Sequence, residues 1–275
     1  MERNSFETLF KRRNPNYAFL ISRMREALGV SEVTFSDINT ASLREFKEHM
    51  DGCVAANSLR TYFAVIKAFI RECAIDGLIR NANCTAVLKV KPTPSEQIAL
   101  TEEEIDRIEH YEPQTESERH IKAQFLCEVY CLARSSDIKR MTDDNIRDGY
   151  ITYVSQKTKV STSVPLHRNF LKYFHECGKE YSRVQYNRVM KRICQRVGIC
   201  DEMKIYYHGQ LRKVKRYELV GSHTARRSGI TALALRGVPL SVIQKLANHT
   251  DAKMTSRYVV VEPKKLEENA MAYFQ

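Results

Sequence analysis

The chain has no long apolar run. None of its segments approaches the roughly 18 consecutive apolar residues of a membrane-spanning helix. The first residues, MERNSFETLFKRRN, also lack an uninterrupted apolar stretch, so no secretory signal is recognised. These absences exclude a membrane-spanning protein and predict a cytoplasmic one.

Cysteine pairs with metal-binding spacing are missing as well. The eight cysteines form no C-x-x-C pair, and none stands beside a histidine at a spacing typical of zinc ligands. Cys127 and Cys131 lie four residues apart in an apolar segment, where we expect them to pack inside a helix. We therefore predict reduced thiols, no metal site and no cofactor.

Basic residues, in contrast, are abundant. Lys and Arg number 44 against 33 Asp and Glu, which gives a formal net charge of +11 and a pI of about 9.2. Such an excess favours a polyanionic partner such as nucleic acid, although other basic proteins share it. With 43 % hydrophobic residues, the chain can also bury a substantial core.

The apolar pattern predicts a mainly α fold with small β-hairpins, of the α+β class. Residues 1–90 have apolar positions three and four apart, which indicates a helical domain. The segment 91–99 contains two prolines and no apolar period, as is typical of a linker. Residues 100–275 mix helical and strand patterns and are predicted to form a second domain that ends in a tail helix.

Capping residues predict the helix ends of the first domain. Asp37 is a candidate N-cap, as is either Asn57 or Ser58. Gly52 and Gly77 fall near predicted helix ends.

The last helix of the first domain has two distinct faces. Its predicted buried stripe consists of Leu59, Phe63, Ile66, Ala68 and Ile70. Its other face carries three cations, Arg60, Lys67 and Arg71. These cations are either only solvated or contact the DNA backbone.

In the second domain, Thr101 and Glu104 predict a capping box at the start of a helix. The segment HIKAQFLCEVYCLARSSDIKRM is predicted as helical with a break near residues 133–136. GYITYVSQ and STSVPLH, joined by KTKV, predict a hairpin, and a second candidate hairpin turns around residues 208–210. Three later segments predict further helices: RVQYNRVMKRICQRVG, SHTARRSGITALALRG and PLSVIQKLAN.

Six chemically related residues follow one another in this domain. Their local frames are ARSSDI, VSQKTKV, SHTARRSG and LANHTDAKMTSRY, and the residues are Arg134, Lys157, His223, Arg226, His249 and Tyr258. Each alone has an ordinary structural explanation, but those explanations do not account for their common chemistry. The set suits a site in which a tyrosine attacks a phosphate, and the net positive charge indicates that the phosphate belongs to DNA.

The residue types suggest a division of roles. A guanidinium binds two oxygens at once and stays protonated, so Arg134 and Arg226 are predicted to bind the non-bridging phosphate oxygens. Lys157, at a predicted hairpin tip, is expected to protonate the leaving sugar oxygen, and Lys159 competes for this role. The two histidines can donate to the phosphate or accept the proton of the tyrosine.

The second domain resembles the catalytic domain of the tyrosine recombinases, the phage-integrase family. The family pattern is Arg, Lys in a β-hairpin, His-x-x-Arg, His or Trp, and then Tyr. HTARRS followed by GVPLSVIQKLANHTDAKMTSRY is close to its most specific part. SLRTYFAVIKAFIRECAIDGLI resembles the family's helical core-binding domain, so the resemblance covers nearly the whole chain. It is nearest to integrases of phages and integrative elements.

The resemblance implies that Tyr258 is the nucleophile, that the two arginines bind the phosphate and that the histidines assist. Lys157 is implied as the general acid because it fills the family's Lys-Thr position. Asp137 matches an acidic position that supports the site. The tyrosine would hold the 3′ phosphate of the cut strand until a 5′ hydroxyl displaces it, without metal, cofactor or ATP.

Two positions depart from the family pattern. Gly usually precedes the position of His249, where this chain has Asn248, and Thr-Gly often precedes the first arginine, where it has Cys131-Leu132. Neither departure removes a reacting group. A site-specific recombinase is the preferred function, with a relaxing topoisomerase of the same chemistry and a non-catalytic DNA-binding relative as alternatives.

The resemblance also implies partners. Double-stranded DNA at specific sites is the expected substrate, and accessory DNA-bending proteins are further candidates. Two cuts on each of two duplexes need four protomers, so a homotetramer on paired sites is expected from a protein that is monomeric when free. The tail helix would either pack on its own domain or dock on a neighbour through an apolar face made of Leu266, Ala270, Tyr273 and Phe274.

Overall fold

Helices make up most of the chain, and short antiparallel strands complete it. The structure is a computed structural model, and it describes residues 5–93, 97–178, 180–207, 210–249, 251 and 254–256. The chain divides into two compact units, Met1–Ser95 with Tyr206–Leu211, and Glu96–Ile205 with Arg212–Gln275. The predicted fold class, mainly α with small β-hairpins, is confirmed.

The first unit is helical. Within its described residues lie α1 (Phe6–Arg13), α2 (Phe19–Leu28), α3 (Thr40–Met50) and α4 (Ala56–Ile75). Aromatic rings join its first and last helices, because the ring of Phe69 lies 5.0 Å from that of Phe6 and 5.2 Å from that of Phe10. Such edge-on pairs stabilise a core beyond their buried area.

The capping residues differ from those predicted. Asp37 lies in a 3-10 turn, where its carboxylate accepts a hydrogen bond from the backbone N of Thr34 at 2.8 Å. The N-cap of α3 is Asn39, whose side chain accepts from the next free N–H groups of the helix. The prediction that Asp37 caps this helix was therefore wrong. A short 3-10 turn precedes α3, and the sequence pattern did not distinguish that turn from the helix.

The predicted cap of α4 was also wrong. The helix begins after Ala55 without a side-chain cap, so Asn57 and Ser58 lie inside its first turn. Asn57 instead bonds to the backbone of Thr93, donating to its oxygen at 2.7 Å and accepting from its nitrogen at 3.2 Å. A polar residue near a helix start can thus bond to a distant segment instead of capping the helix. The local sequence does not reveal which of these two roles it has.

The buried face of α4 follows the predicted stripe except at one position. Leu59, Phe63, Ile66 and Ile70 are buried, whereas Ala68 is exposed. Phe69 and Cys73 complete the stripe, since they continue the three- and four-residue spacing. As predicted, Gly52 and Gly77 follow helix ends, and both adopt positive φ.

The second unit is mixed. Its described helices are α5 (Glu102–Glu109), α6 (Glu116–Cys131), α7 (Ser135–Ile138), α8 (Phe170–Phe174), α9 (Arg183–Arg196), α10 (Thr224–Leu235) and α11 (Leu240–Leu246). Its strands are β1 (Ile146–Arg147), β2 (Tyr150–Val154), β3 (Ser161–Pro165), β4 (Glu202–Tyr207) and β5 (Gln210–Lys215).

Helix α6 forms the centre of the second core. It is buried along most of its length and packs against α8, α9 and α10. The predicted capping box at Thr101 and Glu104 is present and opens α5. Ile98 is buried in the same core, although it lies in the segment predicted as a linker, and Ala99 beside it is also buried.

Both predicted hairpins are present. Strands β2 and β3 pair antiparallel in a register that runs from Tyr150 opposite Pro165 to Val154 opposite Ser161, and β1 adds a short third strand. Strands β4 and β5 form a separate two-stranded sheet. In the described part of the chain, no helix has both the length and the apolarity that crossing a membrane requires.

Candidate active site

The first candidate residue, Arg134, stands where α6 gives way to α7. The helix ends at Cys131, and Leu132 then takes a left-handed conformation with φ +56°, which redirects the chain. This is the predicted helix break. Arg134 Nη1 donates to Ser155 Oγ at 3.0 Å, at the end of β2.

Asp137 supports this arginine and the hairpin at once. Its side chain is almost wholly buried. One carboxylate oxygen lies 4.0 Å from Arg134 Nη1 and accepts from Ser155 Oγ at 3.2 Å. The other accepts from the backbone N of Gln156 at 2.8 Å. Asp137 therefore fixes the start of the loop that carries Lys157.

The loop between β2 and β3 is closed by its own backbone. Ser155 N donates to Val160 O at 3.0 Å, and Lys159 N donates to Ser155 O at 2.9 Å. Lys157 lies in the turn between these bonds with an exposed side chain. Lys159 adopts φ +58°, so the chain reverses there. The hairpin tip thus presents Lys157 to solvent, as the sequence predicts.

Arg226 is buried where three segments meet. It lies on α10 with 1 % of its surface exposed, and it donates to the carbonyl oxygens of Leu132 and Ala247. Gly229, one turn later, allows this approach, because a Cβ there would overlap the carbonyl oxygen of Val129 and the side chain of Leu132. The close crossing of α6 and α10 therefore sets the position of the guanidinium.

His249 follows α11 at the same junction. Asn248 has φ +49°, so the helix ends there in the left-handed conformation. His249 N donates to Gln244 O at 3.0 Å, and its Nδ1 lies 3.0 Å from Thr255 Oγ1. Burial, and then the charges of Arg226 and Arg134, lower its pKa to about 4. The imidazole is therefore neutral at pH 7.

His223 occupies the N-cap position of α10 without capping the helix through its side chain. Although His223 is exposed at the surface, desolvation by the atoms around it is the main cause that lowers its pKa. The positive charges of Arg226, Arg227, Arg134 and Lys157 lower that pKa further. The charge of Lys157 is among those that lower the pKa of His223, so Lys157 lies near the imidazole.

Five of the six candidates thus belong to one constellation, while the sixth, Tyr258, lies outside the described residues. The tail face predicted at residues 266–274 also lies outside them. The sequence analysis did not identify Ser155, which links Arg134 to Asp137. Its position two residues before Lys157 is the feature of the sequence that could have indicated its role. It also missed the carbonyl ligands of Arg226, for which side-chain identity carries no signal.

The three cations predicted to contact DNA lie on α4 in the first unit. Arg60 and Arg71 are exposed. Lys67 is only partly exposed, and its Nζ donates to Leu88 O at 3.2 Å. The lysine therefore has a hydrogen bond within its own unit, whereas neither arginine makes a side-chain hydrogen bond to the residues that the structure describes.

The constellation is suited to binding an anion. The guanidinium groups of Arg134 and Arg226 lie near enough to both imidazoles to lower their pKa, and groups of these types donate hydrogen bonds to phosphate oxygens. Across the residues that the structure describes, no group of His, Cys, Asp and Glu is arranged to hold a metal ion.

Comparison with protein families gives two matches. The profile of the phage integrase family matches residues 99–265, and that of the phage integrase SAM-like domain matches residues 6–87. Together they span both units. A search of curated protein sequences gave no match.

Solved structures with the same fold are bound to DNA. A lambda integrase dimer on a COC′ core site has a TM-score of 0.67 at 18 % identity over 93 % of each chain. A lambda integrase tetramer on a Holliday junction has a TM-score of 0.66 at 18 % identity over 93 % of this chain and 78 % of that one. The Tn1549 transposon integrase with a circular intermediate DNA has a TM-score of 0.63 at 14 % identity over 97 % and 98 %.

Proposed function

The chain belongs to the phage integrase family, and we propose that it cuts and rejoins DNA strands through Tyr258. It is a site-specific DNA recombinase that acts on DNA as a multimer. The observation that supports the proposed chemistry is the buried arginine, Arg226, which lies with Arg134 and two imidazoles of lowered pKa. Action on DNA also favours a cytoplasmic location.

The proposed cleavage step transfers one phosphoryl linkage. Tyr258 Oη gives its proton to a neutral imidazole, that of His223 or His249, as it attacks the scissile phosphorus, and the bond from phosphorus to the 5′ oxygen breaks. Lys157 gives that oxygen a proton, which leaves a free 5′ hydroxyl and a 3′-phosphotyrosyl link. A 5′ hydroxyl of the partner duplex then attacks the link and returns a proton to Lys157, and the tyrosine leaves with the proton that the imidazole held. The linkage retains the energy of the phosphodiester, so the step needs no ATP.

The arginines would stabilise the charge that grows on the phosphate. Preformed donors in a buried site are most effective, because they need no reorganisation when charge develops. Arg226 fits this role because the carbonyls of Leu132 and Ala247 hold its guanidinium. Arg134 fits it because Ser155 holds its Nη1. Since these charges are supplied by side chains, the proposed step requires no metal ion or cofactor.

The two parts of the chain would divide the work. We assign DNA binding to the helical domain, residues 1–90, with Arg60 and Arg71 on the backbone and a smaller contribution from Lys67. Residues 91–99 would join it to the catalytic domain, residues 100–275. The family matches to a SAM-like domain and an integrase domain support this assignment.

The assembly would be a homotetramer on paired sites that forms from free monomers. Lambda integrase occurs on DNA as a dimer and as a tetramer, which supports this expectation. The tail is the candidate connector. Deleting residues 264–275 should leave binding to one site unchanged and weaken larger complexes in native gels, whereas equal tetramer formation by the truncated protein would mean that the tail packs on its own domain.

The nucleophile is tested directly by Tyr258→Phe. The target would be a site that the protein selects from a random DNA pool, prepared as a nicked duplex that traps the covalent complex. The variant should bind this duplex with unchanged affinity and give no protein–DNA band on a denaturing gel. Tyr217→Phe, at a tyrosine outside the proposed site, serves as the control. A covalent band from Tyr258→Phe would refute the assignment.

A further inference from the structure

Asn248 makes a contact that its family resemblance does not predict. The residue stands where the family usually has glycine, and its φ of +49° is a conformation that glycine adopts more readily. Its side chain is not left in solvent, since the residue is 8 % exposed and Nδ2 donates to Val160 O at 3.1 Å. The asparagine therefore binds the hairpin that carries Lys157.

The acceptor of this bond lies at the closing point of the loop. Val160 O also accepts the backbone N–H of Ser155 at 3.0 Å, and this bond closes the loop on itself. On the opposite side, Asp137 accepts from Gln156 N at 2.8 Å. The loop is thus held from two directions, and only residues 157–159 lie between the two points of attachment.

The bond from Asn248 to Val160 links the loop that carries Lys157 to the segment that carries His249. Asn248 directly precedes His249, whose backbone and imidazole are fixed by Gln244 and Thr255. Ala247, directly before Asn248, supplies a carbonyl to Arg226. Movement of the Lys157 loop away from the histidine would therefore break the bond from Asn248 to Val160.

We propose that Asn248 is a positioning residue that holds the Lys157 loop beside His249 and so places the general acid at the scissile phosphate. The inference rests on the proposed role of Lys157 as that acid. A six-residue loop attached at one side only can turn away from the phosphate, and loss of position reduces proton transfer steeply. Because a general acid contributes ~10²–10⁴-fold, loss of the bond should cost a part of this range, about tenfold or more.

The test uses Asn248→Gly, which removes the side chain at a position whose backbone suits glycine. The matched control is Asn145→Ala. Asn145 Nδ2 also donates to a backbone carbonyl of the same hairpin, that of Thr152 at 2.8 Å, but this carbonyl lies outside the loop. Both variants are compared with Lys157→Ala on ordinary DNA and on DNA whose 5′ bridging oxygen is replaced by sulfur, a leaving group that needs no proton.

We expect Asn248→Gly to be about tenfold slower than wild type on ordinary DNA and near wild type on the sulfur substrate. Lys157→Ala should show the same rescue, and the double variant should be no slower than Lys157→Ala alone. Asn145→Ala should match wild type on both. If Lys157→Ala is rescued while Asn248→Gly is equally slow on both substrates, Asn248 acts only on stability and the inference is wrong.

A second outcome separates this inference from the proposed function. If Lys157→Ala is not rescued by sulfur, Lys157 is not the general acid, and both the proposed role and the inference drawn from it fail. Trypsin cleavage of the free protein after Lys157 or Lys159 tests the attachment without DNA. Cleavage should be faster in Asn248→Gly than in wild type or Asn145→Ala, and equal rates would overturn the inference.

Discussion

The arginines predicted to contact phosphate occupy opposite environments in the two units. In the second unit, Arg226 is 1 % exposed and donates to two backbone carbonyls, while Arg134 is held by Ser155. In the first unit, Arg60 and Arg71 extend from α4 into solvent. The same residue type is therefore buried or bonded in the second unit and exposed in the first.

This difference corresponds to two tasks. Transition-state charge is best stabilised by donors that are already in place, which requires burial and fixed partners. Contacts to the DNA backbone position the protein without reading sequence, and exposed flexible cations suit them. The comparison predicts that substitutions in the buried set change rates and stability, whereas those in the exposed set change the salt dependence of binding.

The largest effect is expected for Arg226→Lys. Lysine keeps the charge but cannot reach both carbonyls and a phosphate oxygen with one ammonium group. We expect covalent adduct formation to fall by ~10²–10³-fold, with DNA affinity changed far less. Single-turnover rates on a nicked substrate measure this. Arg71→Lys is the matched control and should stay within about twofold, since an exposed cation needs no fixed geometry. Equal losses in both would remove the distinction between the two sets.

Gly229→Ala tests whether the helix crossing fixes the buried arginine. The new Cβ would overlap the carbonyl of Val129, and backbone cannot move aside cheaply. Overpacking of this kind should lower the free energy of unfolding by about 1–3 kcal/mol and slow cleavage as Arg226 shifts. Urea unfolding measures the first effect.

The matched control for Gly229→Ala, at the crossing of α6 and α10, is Gly221→Ala. A Cβ at residue 221 would meet only Asn187 atoms at 3.7 Å or more, which is ordinary contact. Its free energy of unfolding should therefore stay close to that of wild type. A Gly229→Ala protein of unchanged stability would show that α6 and α10 can separate without cost.

The buried cations should also appear in the pH dependence of stability. Burial and the charges of Arg226 and Arg134 lower the pKa of His249 from 6.5 to about 4. Between pH 6.5 and pH 4, the imidazole of His249 is protonated in the unfolded chain but not in the folded protein. The stability that is present above pH 6.5 is therefore lost as the pH falls towards 4. From pH 7.5 to 5, wild type should lose about 2 kcal/mol more than His249→Gln in urea unfolding. Equal losses of unfolding free energy in wild type and His249→Gln would mean that folding does not lower the pKa of His249.

The smallest effects belong to the exposed set. Arg60→Ala and Arg71→Ala should each reduce the slope of log K against log salt by roughly 0.9, because each lost phosphate contact leaves a counterion in place. Lys67→Ala should change the slope less and lower stability slightly, since Lys67 binds Leu88 O. Binding measured at several salt concentrations distinguishes these results. If neither Arg60→Ala nor Arg71→Ala changes the slope, this face of α4 is only solvated and does not contact DNA.

Much of the fold follows from local pattern. The stripe of α4 apart from Ala68, the capping box at Thr101 and both hairpins were predicted correctly, because periodicity and turn residues act over a few positions. The errors at Asp37 and Asn57 have the same origin. A cap is decided by which N–H groups remain free, and neighbouring polar residues compete for them.

The two departures from the family pattern have a common structural explanation. Leu132 and Asn248 both adopt positive φ, the conformation for which glycine is favoured. Each residue has a contact that glycine could not make. Leu132 packs with Ile230, Ile243 and Ala247, and Asn248 binds the hairpin.

The sequence by itself determined which reactive groups the chain carries and in what order, since the spacing of the arginines, lysine, histidines and tyrosine is a covalent property. Only the tertiary structure decided what holds them. The ligands of Arg226 are backbone carbonyls, which every residue has, so their selection depends on where α6, α10 and α11 meet. The partner of Asn248 is likewise a carbonyl 88 residues away. Contacts of this kind follow from packing, and no local pattern of side chains encodes them.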